Sequence, residues 1–137
     1  MTIRLIDPAD PAYRLGHAQM DLTHLEFMDL VNRLGLAGKP AFTMLFADLV
    51  RHTRSHFDAE DALMVESGFP ALREHRDEHA RVTGELHRFA SMLEKGSITM
   101  ARAWVCERLP EWFNLHARTM DSALAAHLKM QGLTAPD

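Results

Sequence analysis

Along most of this chain apolar residues recur at steps of three and four, the interval that stacks side chains on one face of an α-helix. Four such stripes can be followed. Met20, His24, Phe27, Val31 and Leu34 mark a first helix over about residues 17–36, closed by Gly35, Gly38 and Pro40. Phe42, Leu45, Leu49, Thr53, His56, Glu60 and Leu63 mark a second over about 41–66, stopped by Gly68-Phe69-Pro70. Leu72, His75, His79, Val82, Leu86, Phe89 and Leu93 mark a third over about 71–94, ending at Lys95-Gly96. Val105, Leu109, Trp112, Phe113, His116, Met120 and Leu124 mark a fourth over about 98–130. Pro110 conflicts with that last helix and predicts a kink or a helix start nearby, and Gly84 predicts close helix packing in the third. No β pattern or repeat competes. The expectation is an all-α fold, an antiparallel up-down-up-down four-helix bundle. Residues 1–16 read as an irregular N-terminal arm, broken by Pro8 and Pro11 and lying on the body through Ile6, Tyr13 and Leu15. Residues 131–137 read as a short, frayed C-terminal tail.

The stripes hold residues that do not belong in an apolar core. In His56-Phe57-Asp58-Ala59-Glu60 and in His75-Arg76-Asp77-Glu78-His79 the outer residues are four apart, so each pair shares one helix face. His24 and His116 occupy equivalent positions on the other two helices. Burying an unpaired carboxylate costs several kcal/mol, on the order of the net stability of a small domain, so Glu60 requires a counter-charge. A metal ion would supply it. Imidazole and carboxylate suit iron, and also zinc, copper or manganese. Asp121 lies five residues beyond His116, which on a regular α-helix turns it about 140° away, so it is expected to reach such a site only from the flank of the fourth helix.

Composition narrows the possibilities. At 137 residues and 47% hydrophobic content the chain suits one domain with a full core, residues 1–137. The formal charge is -4, and Lys and Arg are interspersed with acids, which argues against a nucleic-acid partner. Cys106 is the single cysteine, so neither a disulfide within the chain nor a cysteine-rich metal site is available, and it reads as a small hydrophobe. There is no signal-like N-terminus and no apolar run of the roughly 20 residues that span a membrane, so a soluble, cytoplasmic protein is expected. The nine methionines read as core filling, and Arg73-Glu74 and Arg76-Asp77-Glu78 as a solvated face.

Taken together, Met20-Asp21 before His24, HFDAE followed by Leu63-Met64 and Gly68-Phe69-Pro70, HRDEH, and LPEWFNLHARTMD resemble the hemerythrins, in particular the single-domain prokaryotic type. The resemblance covers nearly the whole chain, with four separated motifs in order. It implies a non-haem di-iron centre with an oxo or hydroxo bridge. His75, His79 and His116 would hold one iron, His24 and His56 the other, and Glu60 and Asp121 would bridge them. It also implies an open position for dioxygen on the iron of His24 and His56, and capture of small anions such as azide by the ferric form. The family often has a tryptophan in the arm and a glutamine before the first histidine ligand, where this chain has none and Thr23. Asp61 stands where a second glutamate is common, and His17 replaces an aliphatic residue, which would bring a polar group near the oxygen pocket or its entrance.

His87 and His127 lie outside the pattern and read as surface or satisfied core residues, and His52 as structural, with a pocket role as its alternative. Trp112 and Phe113 read first as core residues, and by resemblance as a wall of the oxygen pocket. The functional expectation is reversible dioxygen binding for transport, storage or sensing, an oxygen-binding protein rather than an enzyme, with room for a minor enzymatic activity. Its rivals on the same bundle are a di-iron peroxidase, oxidase or nitric-oxide-handling enzyme, and an iron or redox sensor. No particular protein partner is indicated.

Overall fold

The structure, a computed structural model, describes residues 4–132. Four helices account for most of them, with no strand among the described residues. α1 is Ala18–Leu36, α2 Lys39–Ser67 and α3 Leu72–Glu94. α4 runs over residues 99–130 as a succession of helical segments. Successive helices pack on one another, and α4 returns against α1 to close the antiparallel bundle.

The helix ends follow local chemistry. His17 is the N-cap of α1, its Nδ1 accepting the Met20 N–H at 3.2 Å in place of the usual hydroxyl or carboxylate. His17, expected to bring a polar group near a ligand pocket or its entrance, is buried and spends its Nδ1 on this cap. Pro40 does not close α1. It sits in the first turn of α2, where its missing N–H has no intrahelical acceptor to lose. Gly68 ends α2 in the left-handed conformation (φ 65°), which lets the Phe69 N–H reach back to the Met64 carbonyl at 3.0 Å.

The arm is pinned as the sequence led us to expect, with Ile6 and Tyr13 buried and Leu15 packed against an apolar cluster that includes Met20, Met64 and Leu124. Asn32 of α1 holds it by accepting the N–H groups of Leu5 and Ile6 at 2.8 and 2.9 Å and donating to the Ile6 carbonyl at 2.8 Å. Pro11, expected only to interrupt, begins a single tight turn, Pro11–Tyr13, capped by Asp10. The Asp10 carboxylate also pairs with Arg118 of α4 at 2.8 Å. Residues 1–3 of the arm and 133–137 of the tail lie outside the described residues.

Twice along α4 the backbone widens from bonds four residues apart to bonds five residues apart, over Trp104–Arg108 and Ala117–Asp121. The first wide turn resolves the conflict at Pro110. There the Leu109 N–H bonds to the Trp104 carbonyl, and a new segment, Leu109–His116, starts with Pro110 in its first turn. The second carries a functional consequence taken up below.

The buried residues form two apolar clusters rather than one. Phe27, Val31, Phe42, Phe46, Leu49, Phe57, Val82, Leu86, Leu109 and Phe113 belong to the larger. Met20, Met64, Phe69, Leu124 and Leu128 belong to the smaller. His24, Glu60, His75, His79 and Asp121 fall between the two in sequence, while His56 and His116 each precede the last residue that their helix gives to the larger cluster, Phe57 and Ala117. Phe46, Phe57 and Met64 show that the apolar face of α2 is broader than its single predicted stripe.

Gly84 does not mark a close approach. It is exposed, and a Cβ placed there meets nothing within 4 Å. The close helical glycine is Gly35, whose Cβ would lie 2.8 Å from Leu5 Cδ1. Gly84→Ala therefore removes backbone freedom from the unfolded chain at no steric cost, and should stabilise the protein by about 0.5–1 kcal/mol in chemical denaturation.

Candidate metal centre

The structure brings together all seven residues singled out in the sequence. They form two groups that share their carboxylates, Glu60, His75, His79, His116 and Asp121 in one and His24, His56, Glu60 and Asp121 in the other. All seven are buried, with Glu60 2% and Asp121 0% exposed.

Each carboxylate presents one oxygen to each group. Glu60 Oε1 lies 3.2 Å from Nε2 of both His75 and His79, while its Oε2 lies 2.5 Å from His56 Nε2 and 3.7 Å from His24 Nε2. Asp121 Oδ1 lies 3.1 Å from Nε2 of both His75 and His116, and its Oδ2 lies 3.0 Å from His24 Nε2.

The position of Asp121 corrects the expectation of an approach from the flank of α4. The wide turn Ala117–Asp121, closed by the Ser122 N–H on the Ala117 carbonyl, takes up the extra residue between His116 and Asp121. Both side chains then meet on the inner face. A regular α-helix would have turned the carboxylate away.

The donor atoms suit a cation. Nε2 of His24, His75, His79 and His116, together with Glu60 Oε1 and both oxygens of Asp121, are buried without a hydrogen-bond partner although nitrogen and oxygen face each other closely. Buried polar atoms are rarely left in that state, so seven convergent ones require a shared partner. Two ligand atoms about 2.1 Å from one ion and at right angles stand about 3.0 Å apart, close to the separations found here. This is the donor set of a metal centre.

Without metal, protons take over part of the charge balance. Burial opposes the imidazolium of His24, but the facing Asp121 and Glu60 outweigh it and raise the pKa to about 9. The same balance raises His75 to about 9. Burial favours the neutral acid of Glu60, yet His56, His24 and His75 hold it well below the usual carboxylate range. Asp121 is likewise held low by His116, His24 and His75, against its own burial and the charge of Glu60.

Aromatic rings back the imidazoles. Phe57, not singled out in the sequence, stacks on His79 with centroids 3.8 Å apart and planes 6° apart. Trp112 lies over His116 at 4.7 Å and donates its indole N–H to Glu78 at 2.7 Å. Glu78 therefore supports the site instead of belonging to a purely solvated face, and Arg81 holds its pKa below the ordinary value. Phe113, 1% exposed, stands edge-on to His24 at 5.2 Å and rests on Phe27 and Tyr13.

The remaining histidines keep out of the cluster. His127 donates from Nε2 to the Ser67 carbonyl at 2.9 Å, and His87 is exposed. His52 faces Glu26 of α1 at 3.2 Å, with burial lowering its pKa. Cys106 is half-buried. Asp61, noted in the sequence only as a departure from a pattern, faces His79 Nδ1 at 3.2 Å.

Fold and site together define a four-helix metal-binding protein whose centre lies in the bundle interior. The family model of the hemerythrin HHE cation binding domain matches residues 15–128, and the chain belongs to that family. It is 33% identical over 121 residues to a bacteriohemerythrin of Ralstonia nicotianae, covering 88% of each chain. It is 23% identical over 100 residues to a myohemerythrin of Riftia pachyptila, covering 73% of this chain and 82% of that one. No solved structure gave a significant match.

The raised histidine pKa values have a defined consequence for the metal-free protein. An imidazole with a pKa of 6.5 unfolded and about 9 folded contributes stability that is complete below 6.5 and is lost as the pH rises through 9. Denaturant titrations of the metal-free chain should show the unfolding free energy falling between about pH 6.5 and pH 9. His24→Gln should flatten part of that slope.

Proposed function

We propose that this chain binds dioxygen reversibly at a non-haem di-iron centre, for oxygen transport, storage or sensing. The disposition of Glu60 and Asp121 carries the reading, because each offers one oxygen to the three-histidine group and the other to the two-histidine group. His75, His79 and His116 would hold one iron and His24 and His56 the second, with both carboxylates bridging. When bound, the iron pair supplies the two electrons that reversible dioxygen binding requires.

The chain's own residues supply the rest. The two carboxylates balance positive charge inside an apolar bundle, where an unbalanced charge would be costly. Five neutral imidazoles favour a milder redox cycle than the glutamate-rich sites of di-iron oxidases and ferritins. Phe113, Phe27 and Tyr13 form an apolar wall beside His24 that keeps water and anions from the two-histidine side. No described helix is long and apolar enough to cross a membrane. The family match over residues 15–128 supports a single domain, for which we propose a cytoplasmic role.

The test is the visible spectrum of anaerobically reduced, iron-loaded protein before air, after air and after argon. Bands that appear with oxygen and disappear under argon support a carrier. Rapid turnover of peroxide or nitric oxide in place of a stable oxygenated form would sink it in favour of a di-iron enzyme. Iron analysis should give two irons per chain, reduced by at least one in Glu60→Ala.

Phe113→Ala tests the wall. Loss of this buried ring should cost about 3 kcal/mol of stability while leaving every ligand in place. The variant should retain iron, autoxidise faster and capture azide faster in the ferric form. Unchanged rates in a folded, iron-loaded variant would remove Phe113 from the pocket.

A further inference from the structure

His79 differs from the other four histidines of the centre on its outer side. The Nδ1 atoms of His24, His56, His75 and His116 are buried without a protein hydrogen-bond partner among the described residues. Nδ1 of His79 faces the carboxylate of Asp61, 3.2 Å away across the α2–α3 interface. A carboxylate only accepts, so this bond requires the His79 proton on Nδ1 and leaves the Nε2 lone pair turned to the centre, where Glu60 Oε1 lies.

Both partners of this bond are held in place. Phe57 covers one face of the His79 ring in nearly parallel contact, and the His75 ring meets it edge-on at 4.5 Å. Asp61 is partly buried, and its second oxygen stands 3.7 Å from the Arg76 guanidinium, one turn before His79 on α3. Stacking sets the plane of the imidazole, and the carboxylate sets its tautomer and its rotation within that plane.

We infer that Asp61 is a positioning residue for the metal centre, whose hydrogen bond to His79 tightens ion binding at the three-histidine position and so widens the advantage that its third imidazole already gives it over the two-histidine position. A carboxylate behind an imidazole fixes its ring and raises its basicity, and loss of such a partner weakens metal affinity by about 10- to 100-fold. Among the described residues no carboxylate or other hydrogen-bond acceptor meets Nδ1 of His24 or His56. One residue outside the ligand set thereby adds to the inequality that the ligand count sets between the two positions. The inference rests on the ligand assignment proposed above and adds an order of loading, in which the three-histidine position fills first.

The experiment is an anaerobic titration of metal-free protein with ferrous iron against a competing chelator, on wild type, Asp61→Asn, Asp61→Ala and Asp61→Glu. Asp61→Asn keeps the size of the side chain and decides the matter should Asp61→Ala fold poorly. Wild type should bind one iron distinctly more tightly than the second. Asn and Ala should weaken the tighter step by about 10- to 100-fold and leave the weaker one unchanged, and Glu should restore most of the loss. A second readout follows the His79 imidazole directly. In zinc-loaded, nitrogen-15-labelled protein its Nδ1–H resonance, assigned by its loss in His79→Gln, should move upfield in Asn and Ala and return in Glu.

Identical iron binding in wild type, Asn and Ala, with an unmoved resonance, would overturn the role of Asp61 and leave the di-iron reading standing. A wild-type chain that takes up no iron would refute that reading and this inference together.

Discussion

Two carboxylates inside an apolar bundle set the terms for the rest of this structure. Glu60 and Asp121 are withdrawn from water on all sides, at a cost of several kcal/mol each if left uncompensated. Five imidazoles converge on them, drawn from all four helices. The resulting polar layer divides the core into a larger cluster on one side and a smaller cluster around Met64 and Leu124 on the other. Neither cluster contains a charged group, so the bundle confines its electrostatic problem to one level. At that level every carboxylate oxygen has a nitrogen facing it.

Holding that layer in register required a departure from regular helix geometry. His116 and Asp121 meet only because α4 is widened between them, and a wide turn forms poorer backbone bonds than the α-helical turns on either side. The earlier wide turn before Pro110 has a purely local cause, the proline itself. The two irregularities look alike along the backbone and differ in origin. One accommodates a residue that the helix cannot otherwise contain, and the other aims a ligand.

Around the layer, rings and hydrogen bonds are distributed unevenly. Phe57 and Trp112 stack on His79 and His116, and Glu78 and Asp61 anchor the outer edges of Trp112 and His79. These supports serve the three-histidine side. The two-histidine side has Phe113 edge-on to His24 with Phe27 behind it, and the ring of His52, itself paired with Glu26, edge-on to His56 at 6.3 Å. The three-histidine side is thus braced by carboxylates directly behind its rings, whereas the rings of the two-histidine side rest mainly on other rings.

Much of this was legible in the chain because it is written in local periodicity. Stripes at steps of three and four gave four helices, and His24, His56, Glu60, His75, His79 and His116 announced themselves by occupying positions where the pattern calls for Leu or Phe. Resemblance to a known family then supplied Asp121, which regular helix geometry had turned aside. Three things only the folded chain decided. The wide turn at Ala117–Asp121 is a change of hydrogen-bond register that no side-chain pattern signals, since the carboxylate it turns inward meets His24 of α1 and His75 of α3, far away in sequence. His17 became a helix cap and Gly84 an open surface position because both roles depend on what stands nearby in space. Glu78 looked like part of a solvated face and Asp61 only like a departure from a family pattern, and each meets its partner, Trp112 or His79, across a helix interface. Periodicity reports which face of a helix is buried, whereas the contact each residue makes depends on the register between helices, which only tertiary packing sets.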